Sequence, residues 1–122
     1  MKHLMEKNEQ FDHPNWEILD SFNNPGVEQV TLNQIEFTSL CPLTGQPDYA
    51  TVEVTYLPKL FCLESKSLKL YLSAYRDFKG FAETITVKIK EDISQVLECP
   101  VQVTTRFARR GGINIESTAF SK

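Results

Sequence analysis

Cys41 and Asp48 are a thiol and a carboxyl seven residues apart, and the segment between them holds Pro42, Gly45 and Pro47, a loop composition. A thiol becomes a nucleophile when a base takes its proton, and a carboxylate can be that base. Taken singly, each has a plainer use: a free cysteine as a small buried hydrophobe, an aspartate after proline as a turn cap. Glu83 opens a stretch of helical apolar spacing. A carboxylate there accepts strong hydrogen bonds from ligand N–H groups, complements the helix dipole, or does both. Lys66 and Lys69 are three apart, so they share a helix face and could meet phosphates. Two lysines on a helix are otherwise a solvated face. Arg109 and Arg110 add two further cations.

Other chemistries lack their residues. The three cysteines, Cys41, Cys62 and Cys99, are odd in number and widely separated, which disfavours a disulfide framework and fits a reducing compartment. There is no Cys-x-x-Cys pair, and both histidines, His3 and His13, lie near the N-terminus, so no metal site is expected. The five glycines form no G-x-G-x-x-G, which excludes a Rossmann dinucleotide site. A net charge of -3 provides no global field for nucleic acid or an anionic membrane, and no direct nucleic-acid partner is expected. No apolar run approaches the length of a membrane span, and the polar first residues lack the apolar core of a signal peptide. A cytoplasmic protein is the expectation.

The elements that must position these residues can be read from periodicity. The length of 122 residues fits one domain, with residues 1–25 as a polar N-terminal arm and 26–122 as the folded unit. Within the arm, Trp16, Ile18, Leu19 and Phe22 could pack as a short helix or anchor. Val27 to Phe37 reads as a strand with imperfect alternation; Ala50, Val52, Val54 and Tyr56 alternate cleanly with polar residues, a half-buried strand. The two make a hairpin whose long loop carries Cys41. Leu68, Tyr71, Leu72 and Tyr75 form one helical stripe, and Ile85, Ile89, Ile93, Val96 and Leu97 a second that Cys99-Pro100 stops. Val101 and Val103, then Ile113 and Ile115, alternate on either side of a turn at Arg109-Arg110-Gly111-Gly112. The order ββααββ predicts an α+β domain: an antiparallel sheet with two helices on one face. Its long open edges predict an oligomer that continues the sheet.

Three stretches resemble one family. Glu36-Phe37-Thr38-Ser39-Leu40-Cys41-Pro42-Leu43-Thr44-Gly45-Gln46-Pro47-Asp48 looks like the active-site loop of the QueF family, the NADPH-dependent 7-cyano-7-deazaguanine reductases of queuosine biosynthesis, a tRNA modification. Glu64-Ser65-Lys66-Ser67-Leu68-Lys69-Leu70-Tyr71 matches that family's signature octapeptide throughout, and Arg110-Gly111-Gly112-Ile113 its C-terminal turn. The resemblance runs from about Trp16 to Thr118. It implies the tunnelling fold shared with GTP cyclohydrolase I, whose ββααββ units assemble side by side into barrels, with substrate sites between subunits.

The resemblance also implies roles. Cys41 would add to the nitrile as nucleophile, giving a covalent thioimide that accepts hydride better than the nitrile does. Asp48 would take the thiol proton and return it to the nitrile nitrogen. Glu83 would hold the purine-like base, with Glu64 and Ser65 as further substrate contacts. The octapeptide residues Lys66, Ser67 and Lys69, with Arg109 and Arg110, would bind NADPH. No metal takes part. The pattern breaks at one position: the family reads Phe-His-Glu where this chain reads Phe81-Ala82-Glu83, and a methyl group transfers no proton. Two alternatives to the reductase therefore stand beside it. One is a reductase-impaired protein that captures the nitrile as a thioimide and stops. The other is an amidine-forming relative acting on the nitrile, against which the intact octapeptide counts.

Overall fold

The computed structural model describes residues 13–121. A four-stranded antiparallel sheet has the order β2 (Val30–Leu40), β3 (Pro47–Tyr56), β5 (Val101–Arg110), β6 (Ile113–Phe120), and β1 (Ser21–Asn23) pairs with β4 (Phe61–Leu63) in a separate two-stranded sheet. Helices α1 (Ser65–Ser73) and α2 (Ala82–Leu97) lie between the two hairpins in the chain. The expected ββααββ order is the frame, and the small sheet is an addition that three-residue strands are too short to announce by alternation.

The core is the apolar face of the hairpins against the two helix stripes. Val52, Val54, Tyr56, Val101 and Val103 face Ile85, Ile89, Ile93 and Leu97, all essentially inaccessible. Burying each such side chain contributes about 1.5–3 kcal/mol. Phe37, Tyr75, Phe107 and Phe78 extend this core as a ring cluster with centroids 5.2–6.3 Å apart. Tyr71 Oη, in α1, donates to Asp92 Oδ2 of α2 at 2.6 Å and shares a 2.8 Å hydrogen bond with Tyr75 Oη; Lys88 Nζ completes the group at 3.0 Å from Asp92. Burial pushes both tyrosines far above their ordinary pKa, so they remain neutral.

Two β-bulges decide which side chains reach the helix-covered face. β2 and β3 pair from Val30↔Tyr56 to Gln34↔Val52 and again from Phe37↔Ala50 to Leu40↔Pro47, which leaves Ile35 and Glu36 opposite Thr51 alone. The extra residue exchanges the faces of β2. Before it, even-numbered Val30 and Leu32 share the face of Val54; beyond it, odd-numbered Phe37 and Ser39 share the face of Ala50 and Asp48. The imperfect alternation seen in the sequence is this bulge. A second one leaves Ala108 and Arg109 opposite Asn114, between Phe107↔Ile115 and Arg110↔Ile113. It brings Arg110, not Arg109, onto the face of Phe107.

Boundaries differ from the expectation in two places. Arg109 and Arg110 belong to β5, and the turn is Gly111-Gly112 alone, with φ of +59° and +84°. Both values suit the two-residue hairpin turn that glycine permits. Helix α1 ends at Ser73, and its stripe continues to Tyr75 through tighter turns such as Tyr75 N–H to Leu72 O at 3.1 Å. Within the segment read as an arm, the short helix or anchor offered for Trp16, Ile18, Leu19 and Phe22 is a 3-10 turn at Trp16–Ile18 capped by the Asn15 side chain, with Ile18, Leu19 and Asp20 buried. Residues 1–12, including His3, lie outside the described residues; His13 is exposed.

Candidate active site

Cys41 follows β2 directly and is half-buried. Its N–H donates to Gln46 O at 2.8 Å and its carbonyl accepts from Gly45 N–H at 2.9 Å, so the loop closes on itself. Gly45 makes that closure with a left-handed φ of +72°. The Thr44 hydroxyl hydrogen-bonds the sulfur and, with the backbone N–H groups of Thr44 and Leu43, holds the thiol below its ordinary pKa; burial and the charge of Asp48 oppose the shift. The result is a thiol with more thiolate at neutral pH than a free cysteine, the state in which sulfur attacks carbon.

Asp48 is the second residue of β3 and stands across the ladder from Ser39. Arg110 Nε lies 2.9 Å from Asp48 Oδ1, and the same guanidinium donates to Pro47 O at 2.7 Å and Gln46 Oε1 at 3.2 Å. Arg110, expected to meet a cofactor, is thus engaged with the loop between Cys41 and Asp48. Arg109 is exposed, with no ion pair among the described residues. Ser39 Oγ is fully buried and has no hydrogen-bond partner among the described residues.

The N-terminus of α2 sits at the same end of the sheet. Leu40 N–H donates to Phe78 O at 2.9 Å and Leu40 O accepts from Gly80 N–H at 3.2 Å. Those bonds carry the chain from beside Cys41 into Ala82 and Glu83. Glu83 is exposed in the first turn of α2, whereas Ala82 is 9% exposed and its carbonyl accepts from the Thr86 hydroxyl at 2.7 Å. Phe81 precedes the helix and makes no side-chain cap. Cys41, Asp48, Arg110, Ala82 and Glu83 therefore belong to one end of the fold.

The octapeptide belongs to the other end. Ser65 and Lys69 line a recess of about 100 Å³ with Leu32 and Gln34, near the start of β2. From Leu32 to Cys41 an extended strand covers up to roughly 30 Å. Glu64 caps α1: its carboxylate accepts from Lys66 N–H at 2.8 Å and Ser67 N–H at 2.7 Å. Ser65, Lys66 and Lys69 are exposed. Ser67, expected among the cofactor contacts, is instead buried. Its hydroxyl donates to Glu64 O at 2.7 Å and accepts from Asp20 N–H at 2.9 Å, which fastens the N-terminal segment to α1.

Thr44 and Ser39 are the site residues that sequence reasoning missed. Thr44 is three residues after Cys41, in reach of the sulfur across a tight turn. Ser39 is two before it, one residue from the end of β2. A recess of about 710 Å³ lined by Ile35, Tyr49, Thr51 and Arg106 lies elsewhere and holds none of the expected site residues. Among the described residues no three His, Cys, Asp or Glu side chains converge, and no helix is long and apolar enough to cross a membrane.

Comparison with known proteins places this geometry. The model of the family described as QueF-like protein matches residues 47–122, which include Asp48, the octapeptide, Glu83 and both arginines. NADPH-dependent 7-cyano-7-deazaguanine reductase of Nitratidesulfovibrio vulgaris (strain DP4) is 44% identical over 108 residues, 84% of this chain and 64% of that protein. The reductase of the same name from Streptococcus thermophilus (strain ATCC BAA-491 / LMD-9) is 42% identical over 104 residues, 82% of this chain and 64% of that protein. The chain thus spans about 64% of the length of these relatives. The crystal structure of an archaeosine synthase QueF-Like in the apo form superposes with a TM-score of 0.74 at 25% identity, covering 79% of this chain and 95% of that one. With an α+β unit of the same type and sequence matches across most of its length, the chain belongs to the QueF-like protein family.

Proposed function

We propose that the protein reduces the nitrile of 7-cyano-7-deazaguanine to the aminomethyl group, with NADPH as cosubstrate, through a thioimide on Cys41. The observation that carries this reading is the presence, at one end of the sheet, of a hydrogen-bonded thiol of depressed pKa within the electrostatic influence of the Asp48 carboxyl. The names of the relatives supply the substrate class and the reductant.

Cys41 gives its proton to Asp48, and the sulfur bonds to the nitrile carbon. One C–N π pair moves onto nitrogen, which takes the proton back from Asp48. Glu83, exposed at the mouth of α2, accepts N–H bonds from the base and fixes the nitrile over the sulfur. When bound, the reduced nicotinamide supplies hydride. Two hydrides and two protons complete the four-electron reduction through an imine, and the departing sulfur regenerates Cys41. Lys66, Lys69 and Arg109 are exposed cations without carboxylate partners among the described residues, a donor set that fits phosphates. Glu64 and Ser65, at the start of α1 beside Lys66 and away from Arg109 of the same copy, are the further substrate contacts.

The two groups of residues lie at opposite ends of one chain, so a complete site takes one group from each of two copies. The outer edges of β2 and β6 have no strand partner among the described residues, and Ile113 and Phe120 are exposed, which supports side-by-side assembly into a barrel. Three free thiols support a cytoplasmic setting, with neither metal nor nucleic acid as a direct partner.

The test is NADPH oxidation followed by absorbance, with and without the nitrile, beside Cys41→Ala. Nitrile-dependent oxidation that vanishes in the variant supports the reductase. A Cys41-dependent mass adduct without oxidation identifies capture alone. Neither adduct nor oxidation ends the reading.

A further inference from the structure

Ser39 carries a polar group on the buried face of the sheet. Its hydroxyl is fully buried and has no hydrogen-bond partner among the described residues. A buried unpaired hydroxyl is costly, and an apolar residue of similar size would fit the same space without the penalty. Such a group persists when its partner arrives in another state of the protein. The nearest candidate is given by the ladder: Ser39 and Asp48 are direct cross-strand partners on the helix-covered face. Side chains so placed have Cβ atoms about 4.5–5.5 Å apart. A rotation of the Asp48 side chain spans the remaining gap. What prevents it is Arg110, whose Nε holds Asp48 Oδ1 at 2.9 Å from the other side.

We propose that Ser39 is a positioning residue for Asp48, whose carboxyl passes from the Arg110 guanidinium to the Ser39 hydroxyl when an anionic group draws Arg110 away. Arg110 is suited to that exchange, being half-exposed beside the Gly111-Gly112 turn and held by surface contacts only. A guanidinium pairs with phosphate as readily as with carboxylate. Once released, Asp48 turns inward along the face that Cys41 approaches, and the Ser39 O–H donates to one oxygen while the other is left to exchange a proton with the thiol. Anion binding at the turn thereby readies the loop two residues beyond Ser39. The inference rests on the catalytic reading of Asp48 for its consequence, but the exchange of partners can be measured without any substrate.

The experiment is a double-mutant cycle on the full chain, read as melting temperature. Ser39→Ala in the wild-type background is expected to leave the melting temperature unchanged or raise it, because it removes an unpaired hydroxyl. In an Arg110→Gln background, where Asp48 is already free to turn, Ser39→Ala is expected to lower it. The same sign in both backgrounds overturns the proposal; in particular, a loss in both means that the hydroxyl has a permanent partner such as a buried water. Stopped-flow formation of the Cys41 adduct with 7-cyano-7-deazaguanine, with NADP+ added at saturating concentration as the phosphate-bearing anion that draws Arg110 away, is the second readout. Ser39→Ala is expected to slow it about tenfold, the factor that one hydrogen bond of about 1.4 kcal/mol is worth. An unchanged rate in a wild type that forms the adduct also overturns the proposal. A wild type that forms no adduct refutes the proposed function alone, and the sign reversal then decides the exchange by itself.

Discussion

Arg110 Nε and Asp48 Oδ1 stand 2.9 Å apart because a bulge in β5 turns Arg110 onto the face that Asp48 occupies. The pair is 45% and 20% exposed, so its contribution to global stability is small, less than about 1 kcal/mol. Its effect is local, since the same guanidinium also holds Gln46 and Pro47. Arg110→Ala should therefore leave the urea midpoint nearly in place while hydrogen exchange at the Cys41 amide, bonded to Gln46 O, accelerates. A loss of several kcal/mol would show that the pair belongs to the core instead.

The Thr44 hydroxyl is the largest of the influences that hold the Cys41 thiol below its ordinary pKa. Thr44→Val removes that bond at nearly constant volume. The thiol pKa should rise, so the thiolate fraction at neutral pH falls and the midpoint of the alkylation-rate profile with iodoacetamide moves to higher pH. A profile unmoved by the substitution would assign the shift to the backbone N–H groups alone.

Ala82 occupies the first position of α2 at the Cys41 end of the sheet. Placing a proton-transferring side chain there, as Ala82→His, should raise nitrile-dependent NADPH oxidation by about a hundredfold, the low side of what a placed general acid contributes. Adduct formation by Cys41 should change much less. Equal rates in both proteins would mean that this position takes no part in the hydride steps.

Cys41 and the Lys66–Lys69 face lie at opposite ends of β2, so variants of the two groups should complement each other. Cys41→Ala and the double substitution Lys66→Ala, Lys69→Ala are each expected to abolish oxidation at moderate NADPH. Co-expression of the two should recover part of the activity in mixed assemblies. No recovery, with mixed assemblies verified by mass, would place both groups of one site on the same copy.

Tyr71, Tyr75, Asp92 and Lys88 join α1 to α2 through buried hydrogen bonds. Tyr71→Phe keeps the ring and removes the donor that Asp92 uses. With a buried carboxylate left short of a partner, the cost is roughly 1–3 kcal/mol, seen as a lowered urea midpoint with the slope unchanged. A neutral substitution would mean that Lys88 alone satisfies Asp92.

Much of the frame was legible in the sequence, because alternation and helical spacing are local. The clean run Ala50, Val52, Val54, Tyr56 is β3, and the stripes from Leu68 and Ile85 are the two helices. The motifs around Cys41, Asp48 and the octapeptide pointed to the family that the comparisons show. Three-residue strands β1 and β4 were not legible, since they contain too few positions for a period, and the burial of Ser67 was not legible either, because an exposed motif and a buried one have the same letters.

What only the tertiary structure decided is which of these residues meet. Parity along β5 favours Arg109 for the helix-covered face, and a bulge gives that face to Arg110. Parity along β2 assigns Ser39 to the outer face, and the bulge at Ile35–Glu36 brings it inside beside Asp48. The choice of where a strand bulges is made by packing against both neighbours at once, and no short window of sequence contains both. The sequence by itself determined the elements, the family and the chemistry of the candidate side chains. Their separation into two ends of the sheet, and the pairing of Asp48 with Arg110, follow from long-range register, which forms only when strands distant in the chain lie side by side.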